Sequence, residues 1–200
     1  INDACVVVLS DAWLAGGFAS KKHCILGPDT MKGQVTRAAG PAFEQMLVGA
    51  GASISSMPSS AIYQAMQTGV LDAANTSSGS FVSYRIYEQV KCLTEPGDYA
   101  RWFMYEPILM SKKSWDKLNG DQQAALKAAG KVAEAYMTEQ AAGLDTKMVD
   151  AYKKAGVEVV KMNAEQAKAW IDIAQKTSYK IFAEKVPGGK ELIEKALSVD

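Results

Sequence analysis

The sequence predicts an α/β fold with an at least partly parallel sheet, and three observations carry that prediction. Between residues 34 and 72, short apolar strands alternate with amphipathic helices in the order strand–helix–strand–helix–strand, which implies right-handed crossovers. The stretch Met57-Pro58-Ser59-Ser60-Ala61-Ile62-Tyr63-Gln64-Ala65-Met66-Gln67-Thr68-Gly69-Val70-Leu71-Asp72 reads as a turn, a capped helix and the start of a strand. That strand opens into Asn75-Thr76-Ser77-Ser78. Such an opening at a strand's carboxyl end, followed by a new helix, is where α/β proteins place ligands. The third observation is a helical apolar stripe running from residue 121 to about 154, about 50 Å of helix at ~1.5 Å per residue. That is more than one small lobe needs, so the helix is expected to brace two lobes.

In chain order, residues 4–9 form a continuous β-branched run, expected to be a buried strand. Asp11-Ala12-Trp13-Leu14-Ala15-Gly16-Gly17-Phe18 follows, either a loop presenting rings to a ligand or a turn covered by core aromatics. Residues 27–33 are a turn-rich connector with a short helical start. Gln34-Val35-Thr36-Arg37 alternates as a brief strand, residues 42–48 are helical, and residues 52–57 return as a strand. In the marker stretch, Pro58 disfavours helix at Met57, and Ser59 or Ser60 caps the turn that follows. Ala61, Ile62, Ala65 and Met66 make one helical face apolar, and Gly69 ends the helix with a positive φ.

Residues 80–90 read as another amphipathic helix. Residues 101–110 are a second apolar strand region, with Pro107 marking a bend or an edge. A short helix spans residues 111–118. Asn119 and Gln122 have capping-box spacing at the head of the long helix. Its apolar stripe is Leu126, Val132, Tyr136, Met137, Leu144, Met148 and Tyr152, with Gly130 and Gly143 as expected bends. A strand at residues 156–160, a helix at 164–182 and a terminal helix after Pro187-Gly188-Gly189 complete the chain.

The 200 residues are 48% hydrophobic and 22% charged with zero net charge, an ordinary balance for a globular protein. The basic residues are scattered, so the electropositive face that nucleic acid requires is not expected. No apolar run approaches the ~20 residues of a membrane span. The chain begins Ile1-Asn2-Asp3-Ala4 and enters a strand at once, which is expected of a fragment or a processed form. Cys5, Cys24 and Cys92 form no CxxC pair. They are expected to be small buried hydrophobes, with a disulfide open to one pair that spacing does not select.

Catalytic signatures are lacking. His23 stands alone, no GxSxG, HExxH, Walker or GxGxxG pattern occurs, and neighbouring His23 and Cys24 would point to opposite faces of a strand. Asp72, Glu88, Glu95 and Glu106 show no paired acid and base. The sequence favours a binder over an enzyme, with no catalytic residue, metal or cofactor expected. Arg37 ends a strand beside Ala38, Ala39 and Gly40, with nothing bulky to stop its guanidinium gripping a carboxylate through two hydrogen bonds; a surface arginine paired with an acid is the alternative. Asn75, Thr76, Ser77 and Ser78 offer short polar side chains that could also cap the helix beginning near Gly79.

Three segments resemble the DctP-like substrate-binding proteins of tripartite ATP-independent periplasmic (TRAP) transporters. Asp29-Thr30-Met31-Lys32-Gly33-Gln34-Val35-Thr36-Arg37 is similar to the family's D-(L/M)-K-G-x-K-x-R. Residues 57–72 are similar to M-P-x-S-E-V-Y-x-A-L-Q-T-G-V-V-D-G. Leu109-Met110-Ser111-Lys112-Lys113-Ser114-Trp115-Asp116-Lys117-Leu118 precedes the long helix as it does in the family. The resemblance implies a two-lobed, type II-like periplasmic-binding-protein fold of the α/β class with a long lobe-spanning helix, here lacking much of lobe one. Residues 1–98 would be mainly lobe two, 99–120 the return to lobe one, 121–155 the long helix, and 156–200 a strand and carboxy-terminal helices.

The resemblance also implies periplasmic capture of an organic acid in the cleft and delivery to the small and large TRAP membrane subunits. Arg37 matches the ligand-holding arginine and Thr76 a frequent polar contact, with Asn75 where Glu is common and Ser77 following. Trp13 and Phe18 fall in a segment that often lines the cleft, and Met104 and Tyr105 where the chain crosses between lobes. Two departures stand out: Phe18-Ala19-Ser20 replaces a stretch in which many members carry a second basic residue, and Ala73 replaces the Gly after Asp72. A module sensing ligand for a receptor, and more distantly a thiol-dependent enzyme using Cys24, are the competing readings.

Overall fold

A computed structural model describes residues 5–99 and 102–198. Its main feature is a seven-stranded mixed sheet. The strands are β2 (Trp13–Ser20), β3 (Val35–Arg37), β4 (Ser53–Ile54), β5 (Ala73–Ser77), β6 (Cys92–Thr94), β7 (Trp102–Tyr105) and β9 (Glu158–Val160). They lie in the order β4-β3-β5-β2-β6-β9, with β7 also paired to β2. β3 runs parallel to β4 and β5, and β6 parallel to β9, while β2 is antiparallel to β5, β6 and β7. The partly parallel sheet expected from the sequence is present.

Period-2 alternation builds two cores from this sheet. Ala19, Ala74 and Leu93 face α2 (Ile62–Gln67), α3 (Ser78–Ser83) and α6 (Leu144–Lys154), packing with Ile62, Met66, Phe81, Met148 and Tyr152. Phe18 and Ala73, one position away on the same strands, face the opposite side and pack with Met46 and Leu47 of α1 (Pro41–Gly49) and Trp170 of α7 (Ala164–Ala174). Helices on both sheet faces make the three-layer α/β arrangement.

Several expectations are corrected. Among the described residues β1 (Val6–Ser10) pairs only with β8 (Ile108–Ser111), as a separate two-stranded sheet, and is largely half-buried rather than buried; Ala4 lies outside the described residues. A continuous apolar run signals cover on both faces, but β1 packs mainly against one helix, α5 (Gly120–Ala142), with a smaller contact to the short helix Lys112–Trp115. Residues 13–18 are neither a loop nor a turn but most of the central strand. Gly16 and Gly17 are there for close approach: a Cβ would lie 2.0 Å from the Thr76 carbonyl oxygen and 2.1 Å from that of Thr94, respectively.

The helix expected to Val90 stops at Ser83, because Arg85 takes φ 53° and starts a separate turn. The long helix is bent, with α5 ending at Gly143 and α6 resuming at Leu144. Its head carries the anticipated Asn119–Gln122 capping box, and Met148 and Tyr152 are core, whereas Val132 and Tyr136 are exposed. α7 continues through a π-helical turn (Gln175–Tyr179) into α8 (Lys180–Lys185), and α9 (Gly189–Leu197) follows. Pro107 separates β7 from β8, so the chain passes there from the large sheet to the small one.

The cysteines also depart from the expected set of buried thiols. Cys24 and Cys92 form a disulfide, and Cys5 is exposed. A thiol-dependent reaction at Cys24 therefore has no thiol to use.

Candidate functional site at the carboxyl ends of β3 and β5

The marker stretch acts as a frame. Gly69 closes α2 at φ 79°, the αL conformation that glycine adopts without a Cβ penalty. Val70 stays exposed, and the strand begins only at Ala73. Asp72, between them, accepts a hydrogen bond from the Val35 backbone N–H at 2.9 Å and an ion pair from Lys22 at 2.9 Å. Desolvation pushes its carboxyl up, but the Val35 N–H and Lys22 outweigh that and hold it below the usual carboxylate range. Asp72 thus ties the start of β5 to the start of β3 and sets their register.

That register delivers Arg37. It sits opposite Ala74 at the end of β3, so its side chain shares a face with Ala74 and, two residues on, Thr76. Its Nε donates to the Met57 carbonyl at 3.0 Å and its Nη1 to the Asn75 carbonyl at 2.9 Å. Partial burial lowers its pKa through desolvation, yet a guanidinium stays charged at any physiological pH. Two neutral carbonyls orient the group without neutralising it. Among the described residues, no ion pair includes Arg37. With five N–H donors and two committed to these carbonyls, the fork retains donors for a planar anion.

The polar residues after Ala74 divide in role. Asn75 is fully buried; its Nδ2 donates to the Gly17 carbonyl at 3.1 Å, and its Oδ1 has no partner among the described residues. Thr76 is opposite Gly17 on the Arg37 face. Ser77 is the N-cap of α3, accepting from the Ser80 N–H at 3.2 Å and donating to the Ser80 hydroxyl at 3.0 Å, so the capping alternative describes it. Ser78 donates to Asp145 at the start of α6.

The other predicted residues lie along β2 and β7. Trp13 and Tyr105 are directly opposite each other, their rings 5.0 Å apart, with Trp13 exposed. Tyr105 donates to the Asp11 carboxylate; that bond, then burial, then the charges of Asp11 and Glu134 raise its pKa. Met104 pairs with Leu14 on the reverse face of the ribbon. Phe18 is a correction: it is 1% exposed and stacked on Trp170 at 5.2 Å, in the core rather than on a cleft wall. Its burial follows from the strand register, which puts Phe18 on the α7 side.

Sequence reasoning missed the Met57 carbonyl as an anchor for Arg37, and it missed the aromatic group formed by Phe43, Trp102 and Trp170. Phe43 and Trp102 stack at 6.0 Å. Their spacing in sequence carries no signal, because three separate elements bring them together.

The three-layer α/β scaffold, with a positive group fixed at parallel strand ends and two strands leading from it toward a second small sheet, is the arrangement of an α/β solute-binding fold. The chain belongs to the DctP family: the model of bacterial extracellular solute-binding protein, family 7, matches residues 7–185. It is 41% identical over 188 residues to a solute-binding protein of Albidiferax ferrireducens, covering 94% of this chain and 56% of that one. The fold matches a crystal structure of a TRAP periplasmic solute binding protein from Rhodoferax ferrireducens with bound malonate. That match has a TM-score of 0.90 and 37% identity, covering 100% of this chain and 65% of that one. A TRAP protein from Sulfurospirillum deleyianum with bound succinate matches at TM-score 0.83 and 26% identity, covering 100% of this chain and 64% of that one. The chain therefore spans a little over half to two thirds of the length of these relatives.

Proposed function

We propose that this chain is part of a periplasmic solute-binding protein that captures an organic acid between two lobes and delivers it to a TRAP membrane permease. The observation that carries the reading is Arg37, oriented by two backbone carbonyls and left without an acidic partner among the described residues. Thr76, on the same face, is the second contact from this lobe, and Trp13, Tyr105 and Met104 line the passage to the other. On this reading, residues 13–98 with the carboxy-terminal strand and helices form the ligand-gripping lobe, and the bent helix links it to the lobe containing β1 and β8.

Malonate and succinate in the two related structures support a carboxylate ligand. The Cys24–Cys92 disulfide supports an oxidising compartment such as the periplasm. No helix among the described residues is long and apolar enough to cross a membrane, which suits a partner of membrane subunits that does not itself insert as a helix. The protein binds and releases its ligand without turnover.

Calorimetric titration of the full-length protein and its Arg37→Ala variant with mono- and dicarboxylates tests the assignment. Two charge-assisted hydrogen bonds at about 1.5–3 kcal/mol each predict a loss of at least about 100-fold. Unchanged affinity in the variant for every acid the wild type binds would sink it.

A further inference from the structure

Arg37 takes its aim from two carbonyls, and the two are held differently. Its Nε donates to Met57 at 3.0 Å, in the loop between β4 and α2, and its Nη1 to Asn75 at 2.9 Å, inside β5. The pairing of β3 with β5 sets Thr36 opposite Ala73 and Arg37 opposite Ala74, and goes no further. The Asn75 carbonyl therefore lies just past the end of β3, where the Arg37 side chain takes the place of a strand partner.

On its other side β5 stays paired with β2 as far as Ser77, opposite Gly16. Within that ladder Asn75 adds a bond of its own. It stands opposite Phe18, reaches diagonally with its side chain, and donates Nδ2 to the Gly17 carbonyl at 3.1 Å. Gly17 is a firm anchor. A Cβ there would lie 2.1 Å from the Thr94 carbonyl oxygen, so β2 is wedged at this point between β5 and the end of β6.

The side chain is costly where it stands. It is 0% exposed, and its Oδ1 has no partner among the described residues. A buried, unpaired acceptor is rare in folded proteins because its lost hydration is not returned. An apolar residue of similar volume would avoid that cost, which leaves the Nδ2 bond as what the amide contributes. Full burial also keeps the side chain from meeting an incoming solute directly.

We propose that the Asn75 side chain is a positioning residue for Arg37: by tying β5 to Gly17 it fixes the carbonyl that orients the guanidinium. Being neutral, it does so without cancelling the charge. The role deepens the carboxylate reading above. Its effect on affinity rests on that reading, and its effect on Arg37 itself does not.

The test uses the full-length, ligand-free protein labelled with nitrogen-15. Nuclear magnetic resonance of the arginine side chains reads rotation about the Arg37 Nε–Cζ bond, the signal being identified by its loss in Arg37→Ala. Asn75→Leu removes the donor at similar volume. Asn75→Ala removes it without adding bulk and serves if the first variant fails to fold; circular dichroism checks both. Calorimetric titration with malonate and succinate reads affinity.

In either folded variant the rotation is expected to be at least about fivefold faster than in the wild type. Affinity is expected to fall about three- to tenfold, the equivalent of about one neutral hydrogen bond. A side chain that only stabilised the fold would lower the melting temperature and leave both readings alone. Rotation within about twofold of the wild type in a folded variant overturns the proposal, whatever the affinity does. Faster rotation with unchanged affinity for an acid that the wild type binds also overturns it, and leaves the carboxylate reading standing. If the wild type binds neither acid, the rotation rate alone decides the role of Asn75, and Arg37→Ala judges the carboxylate reading separately.

Discussion

Breaking the Cys24–Cys92 bridge should cost this chain a large part of its stability. The two cysteines are 68 residues apart in sequence, and closing a loop of that length in the unfolded chain corresponds to about 4.4 kcal/mol in the chain-entropy model. Domains of this size hold only about 5–15 kcal/mol in total. At about 2–4 °C per kcal/mol for a chain of 150–250 residues, the Cys24→Ala/Cys92→Ala double variant should melt about 9–18 °C lower. The bridge has a mechanical reason to matter. Cys92 opens β6 opposite Ser20 of β2, and Cys24 lies in the loop that follows β2, so the bond fixes the turn that starts toward β3 and Arg37. Thermal unfolding by circular dichroism, with and without dithiothreitol, measures it. A Cys5→Ser background keeps the exposed third cysteine from cross-linking chains. A double variant melting within about 2 °C of its parent would show that the unfolded chain is not restrained by the bridge and would refute the reasoning.

Two further perturbations follow from single contacts. Asp72 has a depressed pKa in the folded state, so its contribution is complete above the unfolded carboxyl value of about 3.9 and is lost as pH falls through the folded value. Asp72→Asn should cost about 1–2 kcal/mol near neutral pH and flatten the acid limb of a stability–pH curve below about pH 4, measured by urea unfolding. An unchanged acid limb would separate Asp72 from the β3–β5 register. Gly130→Ala should gain about 1 kcal/mol on helix propensity alone. A Cβ there would lie 1.8 Å from the Leu9 carbonyl oxygen, and backbone cannot yield as a side-chain tip does, so a net loss of about 2 kcal/mol is expected. A stabilised variant would show that α5 does not press on β1.

What was legible in the sequence was local. The Asn119–Gln122 capping box, the Gly69 stop, the Pro107 break and the strand at Val35–Arg37 all follow from residues within a few positions of one another, and all stand in the structure. The misses have non-local causes. Gly16-Gly17 resembles a turn because sequence shows the missing Cβ but not the Thr76 and Thr94 carbonyls that occupy its place. Gly130 resembles a bend on the same logic and is a contact. Gly143, read the same way, does interrupt the helix. The two glycines differ only in what lies across from them. The Cys24–Cys92 pairing depends on β2 and β6 being neighbours, a fact of topology that cysteine spacing does not hold.

The site divides along the same line, and the division bears on how it works. Arg37 was visible as a residue type at a strand end, but its aim is set by carbonyls of Met57 and Asn75, which any sequence possesses and none advertises. An acid in place of either carbonyl would have aimed the guanidinium equally well and neutralised it. Neutral acceptors hold the geometry and leave the charge uncancelled, and partial burial of the group would strengthen its attraction for the carboxylate proposed above by excluding water. The frame that supplies these carbonyls is the marker stretch and the strand it feeds: Met57 heads the stretch, Asp72 closes it against Val35, and Asn75 follows three residues later. Seen this way, the stretch is specific because the aim of Arg37 depends on it at both ends, so substitutions within it that preserve stability should still alter affinity.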